Sequence, residues 1–590
     1  MKNIIKLLVL LPLFATTACD DLFEPAIENN RDLDAMYSDA DYALGVLGNG
    51  YILLPYNTSP TSDVATDDAV SNDNSNTWRA MATGAWTAQN DPASQWKNCY
   101  NAIQYLNLFL ERVESVPFAM ETNIQTLFVD SYSGEAYGLR AVYMYYLLRA
   151  HGGIGTDGQL LGVPIKTTSE SPESDFSQPR DTYAACIEQI LSDCDKAIEL
   201  LPLDYKDKHT ESEIPQKYLD LGINTDQYDR VNGVYRAGRI SGRIVEAIRA
   251  QVTLMAASPA FAESGITWEE AANSAGTVLQ RIDGINGIDA DGYTWYCNTS
   301  EIAGLGNGSN PQEIIWRAGY SDSNTLEGDN FPPSLYGNGR VNPTQNLVDA
   351  FPMANGYPID NSNSDYNAND PYANRDPRLA TYIITNESTA GNATITTGSY
   401  GTNNDAINRE SGHSTRTGYY MRKHLRFDCN LDPNYNTQQR HYSARIRYTE
   451  IFLDYAEAAN EAWGPKGTGS FGFSAYDVIK AIRTRAGVGV DNGDPYLEAC
   501  ANSQDQMREL IRNERRLELC FENIRFYDLR RWNADLTEAA QGVNISRGIG
   551  GALTYTPIQV EERNYRPYMN YGPIPYNDVL NFGFIQNQGW

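Results

Sequence analysis

Residues 137–154 read YGLRAVYMYYLLRAHGGI. Tyr137, Ala141, Met144 and Leu148 recur at steps of four, three and four, the period of a helix with one apolar face, and the run stops at a glycine pair. The same period appears upstream in Ile103, Leu106, Leu110 and Val113. It appears downstream in Ile187, Ile190, Cys194, Ala197 and Leu201, then in Ile244, Ile248, Val252 and Met255, where Pro259 marks the end. Helix follows helix with no strand between. Helices return at Ile451, Tyr455, Ala458 and Ala462, near Ile479, Ile482 and Ala486, and along Gln504 to Trp532.

From Gly284 to Gln439 the texture changes to Asn, Asp, Gly, Ser, Tyr and Pro, with short apolar runs such as Glu313-Ile314-Ile315-Trp316. That composition predicts loops with occasional short strands. The whole reads as a mainly α protein: a tetratricopeptide-like scaffold of helical pairs with a loop-rich face carrying short β-strands. The Trp-Leu-Gly-Tyr landmarks of that repeat are not present. The expected organisation is a leader over 1–18, a helical region over 19–283, and a C-terminal region over 284–590. The last comprises a loop-rich part (284–439), a helical part (440–532) and a wrapping tail (533–590), all in one intertwined body.

The leader is read from Lys2 and Lys6, the apolar run Leu7 to Phe14, and Thr16-Thr17-Ala18 directly before Cys19. It resembles a bacterial lipoprotein signal, in which the chain is cut before the cysteine and that cysteine is acylated. Cys19 is therefore the expected lipid attachment point. No later segment approaches the roughly 20 apolar residues that span a bilayer, so the body is expected to be exported and held by its acyl chains.

Formal charge is −29, from 75 acidic against 46 basic side chains spread along the 590 residues. Such a surface repels phosphate backbones and argues against nucleic acid. Seven further cysteines show no C-x-x-C pair and no histidine at zinc spacing, so neither a metal nor a cofactor is expected. Cys186 and Cys194 share a helix face, but two turns place them roughly 12 Å apart, too far for a disulfide. The 39 Tyr and nine Trp, against 17 Phe, suit a surface that is apolar and hydrogen-bonding at once.

Four segments together resemble the SusD/RagB family of outer-membrane glycan-binding lipoproteins. Leu139-Arg140-Ala141 through Tyr145-Tyr146 to Gly152-Gly153-Ile154 is similar to its first signature, with His151 where the family has tyrosine. Arg375-Asp376-Pro377-Arg378-Leu379 resembles its second. Arg447-Tyr448-Thr449-Glu450 leading to Tyr455-Ala456-Glu457-Ala458 resembles its third. Asn513-Glu514-Arg515-Arg516, Glu518-Leu519, Phe521-Glu522, Arg525 and Asp528-Leu529-Arg530-Arg531-Trp532 resemble the most specific one. The resemblance implies a tetratricopeptide-like fold, glycan capture without chemistry, and docking as a lid on a SusC-like TonB-dependent transporter. Cys19-Asp20-Asp21 looks like the signal that places such lipoproteins on the cell exterior. Alternatives are a peptide-import or structural lid of a RagB-like complex, or a carbohydrate-active enzyme.

The motif charges themselves are expected to be structural. Glu514, Arg515, Glu518 and Glu522 stand at spacings where opposite charges pair along one helix, and Arg375, Asp376 and Arg378 are expected to fix a loop. Glycan binding is instead sought among aromatic residues in polar loops, because a sugar's C–H face stacks on a ring while its hydroxyls need polar neighbours. Trp78, with Arg79 beside it and Asp67 upstream, is the first candidate. Trp295, Tyr296, Trp316, Arg317 and Tyr320 form the second group, with Trp316 placed equally well in a core by strand alternation. Trp86 and Trp96 read as packing residues. Catalysis is not expected: adjacent acids are common at this composition, and no H-E-x-x-H or G-x-S-x-G occurs. Gly467, Gly469 and Gly472 spell G-x-G-x-x-G after a helix instead of a strand, which makes a helix–helix turn. The Asp- and Asn-rich stretch from Asp360 to Asp376 lacks an EF-hand spacing and reads as a solvated loop.

Overall fold

Long helices run side by side in chain order. The computed structural model describes residues 38–56, 59–306 and 309–590, so Cys19 and the leader lie outside the described residues. The principal helices are α1 (Ala40–Ile52), α2 (Trp96–Leu110), α3 (Thr122–His151), α4 (Tyr183–Leu200), α5 (Gly242–Ala257) and α6 (Trp268–Gln280). After the loop-rich part come α7 (Tyr448–Trp463), α8 (Ala475–Ala486), α9 (Gln504–Glu518) and α10 (Arg525–Arg531). Each packs on its neighbour from α1 to α6; α6 then packs on α7, and α7 on α8 and α9. The stack thus closes across the 167 residues from 281 to 447 as if they were an insertion.

Local chemistry explains the boundaries. Asp39 caps α1 by accepting the N–H groups of Asp41 and Tyr42, and Thr267 with Glu270 closes a reciprocal capping box on α6. α5 stops at Ala257 just before Pro259, which lacks the N–H that a further turn requires. α3 is 30 residues long, about 45 Å at 1.5 Å per residue, and is almost wholly buried. Glycines let its neighbours close in: a Cβ on Gly134 would lie 2.8 Å from Leu201 Cγ, and one on Gly138 3.0 Å from Val245 Cγ2. One apolar cluster runs through this layer from Ala43 to Phe584. A second, including Phe351, Tyr382, Met421 and Ile545, lies under the loop-rich face.

That face carries short antiparallel pairs. β1 (Ile314–Arg317) pairs with β4 (Ala444–Arg447), and β2 (Ser321–Ser323) with β3 (Gln439–His441). Two sequence expectations change here. The stretch from Gln504 to Trp532 is two helices, because Phe521 and Asn523 turn left-handed at φ 63° and 61°. Buried Asp63 holds that turn by accepting both of their N–H groups at 3.0 Å. In the tail, Tyr565 Oη donates to Ala65 O and Trp590 packs on Trp86. The tail also contains a long hairpin, β5 (Ala540–Arg547) against β6 (Leu553–Glu561), that its Gly- and Asn-rich composition concealed.

Three of the four signature segments converge on one buried ion-pair network, while Arg140 of the first pairs separately with Asp193 at 2.7 Å. Arg378 binds Asp376, Glu514 and Glu518 at 2.7–3.0 Å, Arg483 binds Glu514 at 2.7 Å, and Arg485 binds Glu518 at 2.6 Å. Arg447 reaches Glu313 and Glu522, each at 2.8 Å, and Lys423 joins Glu522 at 2.6 Å. The pairing expected along one helix is therefore corrected: Glu514 and Arg515 pair across elements, Arg515 with Asp454 and Asp528. The side chains at these spacings point inward, where only other elements can neutralise them. Burial alone would raise Glu518 and Glu522, but the surrounding cations outweigh it and hold both down to about 2. Arg375 ties the adjoining loop through the carbonyls of Pro371, Val348 and Phe351.

Candidate ligand-binding cleft

A cleft of about 770 Å³ opens where the loop-rich face meets the helical layer. The segment after α1 brings Tyr56, the short helix Thr77–Ala80 brings Trp78, and α3 brings Tyr146 and Arg149. Opposite them stand Trp295, Tyr296 and His424, then Arg445 of β4, Glu450 of α7 and Tyr527 of α10. Ser59, Gln95, Asn98, Ser321, Ser323 and Asp329 supply hydroxyl, amide and carboxylate groups between the rings.

The rings are held by one another. Tyr56 meets Tyr146 edge-on at 5.2 Å, and the Arg149 guanidinium lies 4.2 Å from the Tyr146 ring and 3.8 Å from that of Tyr527. Trp78 packs edge-on against Phe526 at 5.2 Å and is half-buried. Trp295 sits among Tyr296, His424 and Tyr442 at 5.4–5.8 Å, with its indole N–H buried and unpaired. An apolar face flanked by donors and acceptors suits a polyhydroxylated ligand: C–H faces stack while hydroxyls exchange water for protein partners.

Glu450 also borders the cleft. Its Oε1 accepts from Gln251 Nε2 at 2.7 Å, and burial, reinforced by the nearby charge of Asp454, pushes its carboxyl up to about 8. Burial raises Asp454 as well, against the opposing pull of Arg515. Burial takes His424 down to about 4, so its imidazole is neutral.

The sequence-derived candidates divide. Trp78, Trp295 and Tyr296 border the cleft, although Trp295 and Tyr296 are only 5% and 7% exposed and form its wall instead of a free platform. Trp316 is fully buried in the helical core: its indole N–H donates to Gly238 O at 3.1 Å, and Tyr56 and Arg445 cover its ring. Both faces of its strand are buried, so neither orientation would have left it exposed. The Arg317 guanidinium is spent on the carbonyls of Ser309, Ala318 and Gly306, and Tyr320 packs beneath Arg440 at 4.5 Å, away from the cleft lining. Arg79 pairs with Glu561 at 2.8 Å. Buried Asp67 pairs with Arg525 and Arg516 at 2.8 and 2.9 Å; those guanidiniums overcome its burial and lower its carboxyl. No single platform joins these residues.

Tyr56, Tyr146, Arg149, Arg445 and Tyr527 escaped the sequence reading because four of them lie in helices or strands whose rings read as core. Trp86 and Trp96 are buried packing residues, each donating its indole N–H to an aspartate, Asp91 and Asp578. The Gly467–Gly472 segment is the turn between α7 and α8. Among the described residues the cysteines are all free thiols, Cys297 half-buried and the others buried. One group of potential metal ligands, Glu327, Cys429 and His441, was not foreseen.

Comparison with known proteins agrees with this architecture. A model described as the SusD family matches residues 312–590, and one described as starch-binding, associating with the outer membrane, matches residues 33–216. The chain belongs to the SusD/RagB family. It is 23% identical over 461 residues to SusD-like protein P38 of Formosa agariphila, a match covering 74% of this chain and 72% of that protein. A crystal structure of a SusD-like protein from Bacteroides fragilis superposes with a TM-score of 0.70 at 22% identity, covering 95% of this chain and 99% of that one. A SusD-like carbohydrate-binding protein from the same organism gives 0.66 at 20% identity, covering 92% and 99%.

Proposed function

We propose that this protein is a cell-surface lipoprotein that captures an oligo- or polysaccharide in the cleft and passes it, chemically unchanged, to a SusC-like TonB-dependent transporter in the outer membrane. The observation that carries the reading is the cleft itself: Trp78, Tyr56, Tyr146 and Tyr527 around one space, with hydroxyl and amide groups between them. The family's association with starch binding and the outer membrane supports glycan over other polyhydroxylated ligands, as does the carbohydrate binding of the Bacteroides fragilis protein. Among the described residues no helix is long and apolar enough to cross a membrane, so a pore for import would come from the partner.

Two of the three carboxylates at the cleft are engaged by protein partners, which favours binding over hydrolysis. Glu522 is shared by Arg447 and Lys423, and Glu450 is held by Gln251. Affinity electrophoresis of the purified chain through gels containing individual polysaccharides tests the reading, with product analysis of the retained glycan. Retardation by at least one glycan, returned intact, is expected. Retardation by none, or shortened products, overturns it.

A further inference from the structure

Three side chains far apart in sequence meet beside the cleft: Glu327 in the short helix Thr325–Asn330, Cys429 in the loop after Arg426, and His441 at the end of β3. Their ligating atoms all lie within 4.8 Å of one another. Glu327 is fully buried, Cys429 nearly so, and His441 borders the cleft.

One feature of this group stays unresolved by protein contacts alone. Glu327 Oε1 accepts from the Arg426 backbone N–H at 2.8 Å and faces His441 Nε2 at 3.0 Å, but its Oε2 is buried with no hydrogen-bond partner. An orphaned carboxylate oxygen in the interior is strongly unfavourable. Both imidazole nitrogens also face oxygen: Nδ1 lies 2.8 Å from Gln439 O while Nε2 faces Glu327. With no ion bound, an imidazolium donating from both nitrogens serves both contacts. A cation held by Nε2 and the carboxylate gives Oε2 the partner it lacks, with Nδ1–H donating to Gln439 O. That second contact is the one that commonly aims a metal-binding imidazole. The Arg426 guanidinium is already committed to Asp428 at 2.6 Å.

We propose that Glu327, Cys429 and His441 form a binding site for a zinc-class divalent cation in the wall of the cleft. Carboxylate, thiolate and imidazole Nε2 take three positions of a tetrahedral centre, and water entering past His441 takes the fourth. Thiolate and imidazole select zinc-like ions over calcium or magnesium. The bound state balances charge: one dication meets one thiolate and one carboxylate beside a neutral imidazole. On binding, the thiol proton leaves to solvent, as does the Nε2 proton where the ring is charged. The ion would tie the 325–330 helix and the loop after Arg426 to the β2–β3 pair, stiffening the side of the cleft that carries Ser321 and Ser323.

The purified full chain, stripped with chelator and dialysed, is titrated with cobalt(II) and then zinc(II). The expected result is one cobalt per chain, with a thiolate-to-cobalt charge-transfer band and the intense visible bands of a tetrahedral centre, all lost on adding zinc. Cys429→Ser should abolish the charge-transfer band, and Glu327→Gln and His441→Ala should each weaken zinc by more than about 100-fold, the upper range for losing an outer-shell partner. Cys186→Ser should change nothing. A folded wild-type chain with no charge-transfer band overturns the proposal without recourse to variants, as does a band that survives Cys429→Ser.

Discussion

Gln251 Nε2 donates to Glu450 Oε1 at 2.7 Å, joining α5 to α7 at the cleft. Because burial raises Glu450 to about 8, Asp63 to about 7 and Asp91 to about 6, the folded chain holds protons that the unfolded chain releases near its ordinary carboxylate values. Their contribution is full below about pH 4 and is lost as pH rises towards about 8. Glu518 and Glu522, lowered to about 2, act oppositely and lose theirs as pH falls from about 4.5 to 2. Thermal melts across pH should therefore peak on the acid side of neutrality and decline between about pH 5 and 8. Glu450→Gln should flatten that decline.

Arg378 is the hinge of the buried ion-pair network, touching Asp376, Glu514 and Glu518 with none of the four side chains exposed. Removing it takes a guanidinium from three buried carboxylates, of which Glu514 and Glu518 keep Arg483 and Arg485. Arg378→Ala should lower stability by roughly 3–5 kcal/mol, read as a shift in the denaturant midpoint.

Trp316 and Trp78 were equal candidates by composition, but their surroundings differ. Trp316→Ala empties a fully buried site and should destabilise by about 3–5 kcal/mol, lowering the melting temperature. Trp78→Ala truncates a half-buried ring at the cleft mouth and should leave the melting temperature much closer to wild type. Paired melts of the two variants check this.

The helices were legible because a 3.6-residue period leaves a direct trace in sequence, as in Ile187, Ile190, Cys194 and Ala197 of α4. The break at Phe521–Asn523 was not, since Asp63, some 460 residues away, makes it. Of the aromatic and basic candidates read from sequence, Trp78, Trp295 and Tyr296 border the cleft and Trp316 and Arg317 do not. Both faces of β1 are buried, which composition does not encode. Glu327, Cys429 and His441 were illegible for a related reason: their proximity arises from the β2–β3 pairing, and no spacing motif announces it.

Lipid attachment is expected at Cys19, which lies outside the described residues. Cys19→Ala should release the chain from the outer membrane or leave it unprocessed, because two or more acyl chains give stable anchoring. Fractionation followed by alkaline wash decides it: a variant that still resists the wash is anchored by something else. Purification of the wild type from detergent should recover a barrel subunit near one-to-one.

The most direct test of glycan capture in the cleft is calorimetric titration of wild type and Trp78→Ala with a glycan identified by the gel screen. An open aromatic site should bind in the micromolar to millimolar range, on the order of −4 to −8 kcal/mol. The account predicts that Trp78→Ala weakens binding at least tenfold while the melting temperature stays near wild type. Wild-type affinity in a folded Trp78→Ala chain would contradict it and move the site elsewhere.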